Sequence, residues 1–178
     1  MKDKKYFLVG MPATGKSTIG RLIARQLGLK FIDLDDVIVG HEGKEINDIF
    51  KDKGEEYFRK AERHHLKEII NRQNGFILAT GGGAPCFYDN MDLMNQNGVT
   101  IFLNVPVEDL FHKLVIKGTQ KRPLLKDLSQ NELLAEITTK FNDRKKYYEQ
   151  SKINLIQNLK NITERVNEVI YAMKSLEE

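Results

Sequence analysis

The sequence has one cysteine, no long hydrophobic run and almost no excess of one charge. A single cysteine among 178 residues excludes an internal disulfide. No stretch of about 18 apolar residues is present, which predicts no transmembrane helix. The apolar run Tyr6–Val9 near the N-terminus is shorter than the core of a secretory signal peptide, which needs about 7–15 residues. These absences predict a cytoplasmic protein that does not contact a membrane.

The charge balance is too even to indicate a nucleic-acid partner. The chain has 28 Lys and Arg against 25 Asp and Glu, a net charge of +3. Hydrophobic residues make up 40% and charged residues 30%, which is typical of a globular protein and not of a disordered one. At 178 residues we expect one domain spanning 1–178.

Short apolar runs alternate with longer amphipathic segments along the chain. The alternation predicts βαβ units, and therefore an α/β protein whose parallel sheet is covered on both faces. The predicted strands are Tyr6–Val9, Phe31-Ile32, Phe76–Ala79, Val99–Leu103 and Ile153–Ile156. Helices are predicted before Gly28, with Ile19, Leu22, Ile23 and Leu27 on one face, and from about Asn161 to the C-terminal region.

Two segments depart from this alternation. Residues 36–75 contain only charged helical patterns, and residues 112–130 are polar and rich in lysine. Long insertions in compact domains are often lids or binding elements, but variable surface loops have the same appearance. Length alone leaves both interpretations open.

The segment from Gly10 to Ser17 matches the phosphate-loop pattern G-x-x-x-x-G-K-S/T without a mismatch, between a predicted strand and a predicted helix. Glycines let successive backbone N–H groups point at phosphate oxygens, and the helix N-terminus adds partial positive charge there. Lys16 can neutralise β- and γ-phosphate charge, and the Ser17 hydroxyl can bind Mg²⁺. The pattern predicts a nucleoside triphosphate site.

Carboxylates and glycines follow the next two strands along the chain. Asp33 and Asp35 would share a face if the chain stays extended. One carboxylate could then hold Mg²⁺ through water, and the other could accept a hydroxyl proton. Asp is, however, also a common helix cap. The run Gly81–Gly83 would let a ligand approach the backbone closely, or would form a flexible turn. Ligands bind at the carboxyl ends of strands in such sheets, so we expect both segments to face the phosphate loop.

Three arginines are candidates for binding anions. Arg59 and Arg144 lie in predicted helices, where each would bind a carboxylate ligand or form an internal salt bridge, for Arg59 with Glu55 or Glu62. Arg122 precedes a proline in the basic segment 112–126, where it suits charge neutralisation during phosphoryl transfer. Together the residues predict a kinase for a small, anionic, hydroxylated molecule.

In combination these motifs resemble those of shikimate kinases. They occur in the order of that family and span residues 10–148. The motifs are Gly10–Thr18 with Ile19-Gly20-Arg21, Asp33-Leu34-Asp35, Gly54 to Arg59, Gly81–Gly83, Arg122-Pro123-Leu124-Leu125, and Arg144 ahead of Tyr148.

The resemblance implies a fold, a reaction and a set of site residues. It implies a three-layer α/β/α P-loop kinase with strand order 2-3-1-4-5, a substrate-binding insertion at 34–61 and a lid at 112–126. The product would be shikimate 3-phosphate. Lys16, Asp35 and Arg122 would be catalytic, and Ser17 and Asp33 would hold Mg²⁺. ATP would contact Ala13, Thr14, Gly15, Lys16, Ser17, Thr18 and Arg122. Shikimate would contact Asp35, Arg59, Gly81, Gly82, Gly83 and Arg144.

One position departs from the family pattern. Members of the family often have an arginine seven residues before the Arg-Pro-Leu-Leu motif, where this chain has Val115. Two alternatives remain: another small-metabolite kinase, such as a gluconate kinase, or a nucleotide-binding module without turnover. The Gly81–Gly83 run and the Arg-Pro-Leu-Leu motif argue against the first, and the joint presence of Lys16, Asp35 and Arg122 argues against the second. We expect ATP and shikimate as the small-molecule partners, and a monomer.

Overall fold

The fold is built around a five-stranded sheet in which every adjacent pair of strands is parallel. The computed structural model describes residues 3–72, 74–117, 129–158 and 161–176. The strands are β1 (Lys5–Val9), β2 (Lys30–Asp33), β3 (Phe76–Ala79), β4 (Val99–Asn104) and β5 (Ile153–Ile156). Their order is β2-β3-β1-β4-β5, which confirms the predicted order.

Seven helices are described around the sheet. They are α1 (Lys16–Leu27), α2 (Leu34–Glu42), α3 (Ile46–Arg72), α4 (Asn90–Asn97), α5 (Val107–Lys117), α6 (Gln130–Tyr148) and α7 (Ile162–Ser175), with a short 3₁₀ helix at Ala84–Cys86. The predicted limits of the first and last helices are confirmed. Gly28 ends α1, and the Asn161 side chain caps α7 by accepting hydrogen bonds from the N–H groups of Thr163 and Glu164.

The central strand β1 supplies both layers of the core. Because side chains alternate along a strand, Phe7 and Val9 pack on one face of the sheet, and Tyr6 and Leu8 pack on the other. The first face is covered by apolar residues of α2 to α6, and the second by α1 and α7. The apolar side chains Val166, Val169 and Met173 of α7 are buried, whereas Ile162 at its start is exposed.

The long helix α3 bends at Gly54. This residue has φ 80° and ψ 171°, a conformation that L-residues with side chains rarely adopt. The bend separates a short first segment, which packs Ile49 into the core, from a longer second segment that carries Arg59 and Glu62. Gly54 therefore sets the direction in which those two side chains enter the molecule.

Within the ranges that the structure covers, no helix combines the length and the apolar character needed to cross a membrane.

Candidate active site

The phosphate loop joins β1 to α1 with a tightly curled backbone. Gly10 and Gly15 have φ values of 139° and 96°, which favour glycine. A Cβ at Gly10 would lie 2.9 Å from the carbonyl oxygen of Leu103, so a side chain is excluded there by space as well as by conformation. The sequence thus encodes the curl through two glycines that no other residue can replace without strain.

Lys16 lies inside this curl. Its side chain is buried, and its Nζ donates hydrogen bonds of 2.9 Å to the carbonyl oxygens of Gly10 and Met11. The loop also closes on itself, because the Thr14 hydroxyl donates to the Met11 carbonyl at 2.9 Å. The ammonium group is thereby held at the centre of the predicted phosphate site.

The carboxylate of Asp33 connects the phosphate loop to the start of α2. Its Oδ2 accepts a hydrogen bond of 2.6 Å from the Ser17 hydroxyl, and its Oδ1 accepts one of 3.1 Å from the N–H of Asp35. Asp33 is thus both the N-cap of α2 and a neighbour of the phosphate loop. The chain does not stay extended through Asp35: α2 begins at Leu34, because the Asp33 side chain caps it there, which was the alternative considered from the sequence.

Asp35 in the first turn of α2 is close to Glu62 of α3. A Cβ at Gly81 would lie 2.9 Å from Asp35 Oδ1 and 2.8 Å from Glu62 Oε1, so both carboxyl groups face the same glycine. Burial, with the nearby Asp33 charge, raises the pKa of Asp35 to about 6. Burial also raises the pKa of Glu62 to about 7, against the opposing effect of Arg59. Acidic groups poised near neutral pH are typical of catalytic sites.

Arg59 is buried and paired within its own helix. It donates to Glu62 Oε2 at 2.5 Å and to Glu55 Oε1 at 2.9 Å. Burial alone would lower the Arg59 pKa, but these two carboxylates outweigh burial and raise it. Both internal partners considered from the sequence are therefore present. The guanidinium also lies against Gly83, where an added Cβ would be 2.7 Å from Nη2.

The glycine run brings the phosphate loop and α6 together. A Cβ at Gly82 would lie 2.6 Å from Cδ of Pro12, and the Tyr148 hydroxyl donates to the Gly82 carbonyl at 2.6 Å. Burial raises the pKa of Tyr148, while the half-buried Arg144 beside it acts in the opposite direction. Arg144 also lowers the pKa of Glu62, so its charge reaches the same cluster.

Two basic residues on the outer side of the phosphate loop were not predicted from the sequence. Lys113 Nζ of α5 donates to the Ala13 carbonyl at 2.8 Å, and Arg165 Nη2 of α7 donates to the Thr14 carbonyl at 2.6 Å. Sequence separation hides both contacts. For Arg165 the available signal is weak: an arginine directly before the buried Val166 of an amphipathic helix.

Arg122 and residues 118–126 of the predicted lid lie outside the described residues. The preceding helix α5 is described, and Val115 on it is 40% exposed.

The described residues form two adjoining groups, one with the chemistry to hold a phosphate chain and the other with the chemistry to hold an acidic, hydroxylated molecule. The phosphate loop and Lys16 form one half, and Asp35, Arg59, Arg144 and Gly81–Gly83 form the other. Asp33 and Ser17 lie between the halves. The expectation that both polar segments face the phosphate loop is confirmed.

A family model described as shikimate kinase matches residues 12–174, which is most of the chain. The chain belongs to the shikimate kinase family. A shikimate kinase of Parabacteroides distasonis is 44% identical over 151 residues, covering 84% of this chain and 86% of that protein. This membership confirms the family and the kinase activity predicted from the motifs.

Solved structures of shikimate kinases have the same fold. The shikimate kinase from Bacteroides thetaiotaomicron superposes with a TM-score of 0.89 at 37% identity, covering 96% of this chain and 98% of that one. The shikimate kinase from Acinetobacter baumannii in complex with shikimate has a TM-score of 0.85 at 29% identity, covering 97% and 93%. These similarities confirm the P-loop kinase fold.

Proposed function

We propose that the chain transfers the γ-phosphoryl group of ATP to the 3-hydroxyl of shikimate, giving shikimate 3-phosphate and ADP. The observation that carries the proposal is the juxtaposition of a phosphate loop with a carboxylate that has a raised pKa. Asp35 lies near enough to Lys16 for that charge to lower its pKa against the larger effect of burial. A donor phosphate and an acceptor hydroxyl bound to the two halves would therefore be neighbours.

The donor half consists of Ala13 to Thr18. Backbone N–H groups of the loop and the N-terminus of α1 favour an anion there. To neutralise the transferred phosphate, the Lys16 ammonium group would leave its carbonyl partners or divide its hydrogen bonds between them and the phosphate. Because phosphoryl transfer needs little covalent help from the protein, positioning and charge neutralisation would supply most of the rate.

Ser17 and Asp33 would hold Mg²⁺. Their donor set fits that ion, since a hydroxyl and a carboxylate oxygen 2.6 Å apart are the hard oxygen ligands that Mg²⁺ takes. Mg²⁺ would neutralise charge on the β- and γ-phosphates when bound. Ser17 would contact the ion directly and Asp33 through water, while the second oxygen of Asp33 keeps its hydrogen bond to the N–H of Asp35.

The acceptor half would bind shikimate through its carboxylate and its hydroxyls. Arg59 and Arg144 would pair with the carboxylate, because guanidinium groups match carboxylate geometry. Gly81–Gly83 would let the ring approach the backbone closely. Asp35 would accept a hydrogen bond from the attacking hydroxyl and, above its pKa, could take the proton.

The remaining parts of the proposal concern larger segments. Residues 34–61 would form the shikimate-binding insertion of a single domain. Residues 112–126 would form the lid, with Arg122 contacting ATP and the transferring phosphate, and lid closure would exclude water from the reaction. We propose a monomer that acts in the cytoplasm.

A coupled assay of ADP release tests the proposal. The enzyme is supplied with ATP and Mg²⁺ and with shikimate, gluconate or no acceptor. We expect acceleration by shikimate alone. Acceleration by gluconate and not by shikimate would contradict the proposed acceptor, and no acceleration by either would favour a binding module.

Arg144→Ala tests the acceptor half of the site. We expect the KM for shikimate to rise by about tenfold or more, because a charge-assisted pair to the carboxylate is lost, while the KM for ATP changes little. Lys145→Ala on the exposed neighbouring position is the matched control. An unchanged KM for shikimate would remove Arg144 from the site.

A further inference from the structure

Arg165 of α7 is a buried cation that contacts the back of the phosphate loop. Only 4% of its surface is exposed, and its Nη2 donates to the carbonyl oxygen of Thr14 at 2.6 Å across 151 residues of sequence. A Cβ placed on Gly15 would lie 3.3 Å from Arg165 Nη1, so the guanidinium covers the outer side of the Thr14–Gly15 peptide. This peptide leads directly into α1.

The contact sets the direction of one amide. In a trans peptide the C=O and the N–H point to opposite sides, and no cis peptide is found in the chain within the described ranges. When Arg165 holds the Thr14 carbonyl from outside, the N–H of Gly15 must therefore point to the inner side of the loop. That side is where backbone N–H groups meet phosphate oxygens.

Gln157 fixes the guanidinium in turn. Its Oε1 accepts from Arg165 Nε at 3.0 Å, and its Nε2 donates to the Arg165 carbonyl at 3.1 Å and to Glu168 at 3.3 Å. The Gln157 N–H donates to the Asn104 carbonyl at 2.9 Å, which attaches the amide to the end of β4. Arg165 is therefore held on both sides by buried, directional hydrogen bonds.

We infer that Arg165, oriented by Gln157, is a positioning residue for nucleotide binding: it holds the Thr14–Gly15 peptide so that the Gly15 N–H faces the phosphates. The positive charge of Arg165 adds to the attraction for the nucleotide from behind the loop. The inference rests on the proposed function in one respect, that the loop binds ATP. It assigns to α7 and to the loop after β5 a role in the affinity for nucleotide.

The test measures ADP binding directly, by calorimetry with Mg²⁺ present, and the two KM values separately. For Arg165→Met we expect the Kd for ADP and the KM for ATP to rise by about tenfold, while the KM for shikimate stays within about twofold. Arg165→Lys keeps the charge but cannot form both hydrogen bonds, so we expect an increase of about threefold. Gln157→Ala should weaken ADP binding in the same direction, because it releases the guanidinium.

Lys5→Met is the matched control, since Lys5 also donates from a partly buried cation to a distant carbonyl, that of Ile70 at 2.7 Å. We expect it to leave the Kd for ADP unchanged whatever its effect on Tm. Equal ADP affinity in Arg165→Met and wild type would overturn the inference, as would equal rises in both KM values. Should Arg165→Met not fold, Gln157→Ala decides by the same criteria. A wild type that binds ADP but does not phosphorylate shikimate would contradict the proposed function and not this inference.

Discussion

At the scale of single residues, the cationic side chains of the site are held by hydrogen bonds to carbonyl oxygens and to carboxylates. Lys16 donates to two carbonyls of the phosphate loop, and Arg59 is divided between two glutamates. None of these groups is held by one partner alone. A ligand can therefore replace the hydrogen bonds of each cationic side chain one at a time. This lowers the free-energy cost of moving the side chain from its present partners to the ligand.

Lys16→Ala should lower kcat by about 10²–10³-fold, because the group that we propose neutralises the transferring phosphate is lost in a site where such charges act most strongly. Initial-rate kinetics at saturating shikimate measure this effect. Lys140→Ala, at an exposed ion pair with Glu136, is the control and should leave kcat unchanged. A loss below about threefold in Lys16→Ala would contradict the assignment.

The pKa of Asp35 predicts the acidic limb of the activity profile. With a pKa of about 6, the carboxylate that we propose accepts the hydroxyl proton is lost as the pH falls through 6, so kcat/KM for shikimate should fall about tenfold per pH unit below that value. Asp35→Asn should lower kcat/KM by about 10²–10⁴-fold and abolish this limb. An Asp35→Asn variant that keeps the wild-type profile would show that another group titrates.

At the scale of helices and strands, the sequence predicts the regular parts well and the contacts between distant parts poorly. Each predicted strand end lies within one residue of the observed end, because buried strands are short apolar runs between polar segments. The hydrogen bond between Ser17 and Asp33 agrees with the rule that ligand-binding residues lie at the carboxyl ends of strands.

Sequence reasoning left one feature of the site open and missed another. The Asp33 side chain caps α2, so the helix begins before Asp35 and the chain is not extended there. The sequence alone could not decide this, because a capping aspartate looks the same in sequence as a metal-binding one. The contact between Arg165 and Thr14 depends on how α7 packs against α1, and no local pattern reports that packing.

The bend at Gly54 gives a prediction at this scale. Gly54→Ala should destabilise the fold by about 1–3 kcal/mol, because alanine is strained at φ 80° although no atom would contact the new Cβ. Since the bend directs Arg59, we also expect the KM for shikimate to rise. Both effects are measured by urea denaturation and steady-state kinetics.

Gly40→Ala provides the comparison for Gly54→Ala. Gly40 lies in α2, and a Cβ there would also meet nothing within 4 Å, but without a positive φ. Alanine should therefore stabilise the helix by about 0.5–1 kcal/mol. If Gly54→Ala were equally stabilising, the bend would not depend on glycine.

At the scale of the whole molecule, the site lowers stability at the pH where it works. The Asp35 carboxyl has a pKa of 3.8 when unperturbed and of about 6 in the fold, so the folded state keeps a proton that the unfolded chain has already lost. The resulting stabilisation is complete below about pH 4 and is lost as the pH rises to 6. At 1.36 kcal/mol per pKa unit the loss is at most about 3 kcal/mol.

Asp35→Asn should consequently gain stability over wild type as the pH rises. We expect the difference in Tm between the variant and wild type to be more positive at pH 7.5 than at pH 4, since the variant has no carboxylate to desolvate. Thermal denaturation at several pH values measures it. A difference that does not change with pH would show that the carboxyl is not desolvated in the folded protein.

The central position of β1 has a consequence for synthesis on the ribosome. The phosphate loop is made before β3, β4 and α7, but β1 pairs with β3 and β4, and the Thr14 carbonyl meets Arg165 only when α7 is complete. Each of these contacts must wait for later parts of the chain. A ligand that binds only the folded loop thus gives no protection to the earlier nascent chain and begins to favour folding only after α7 has been made.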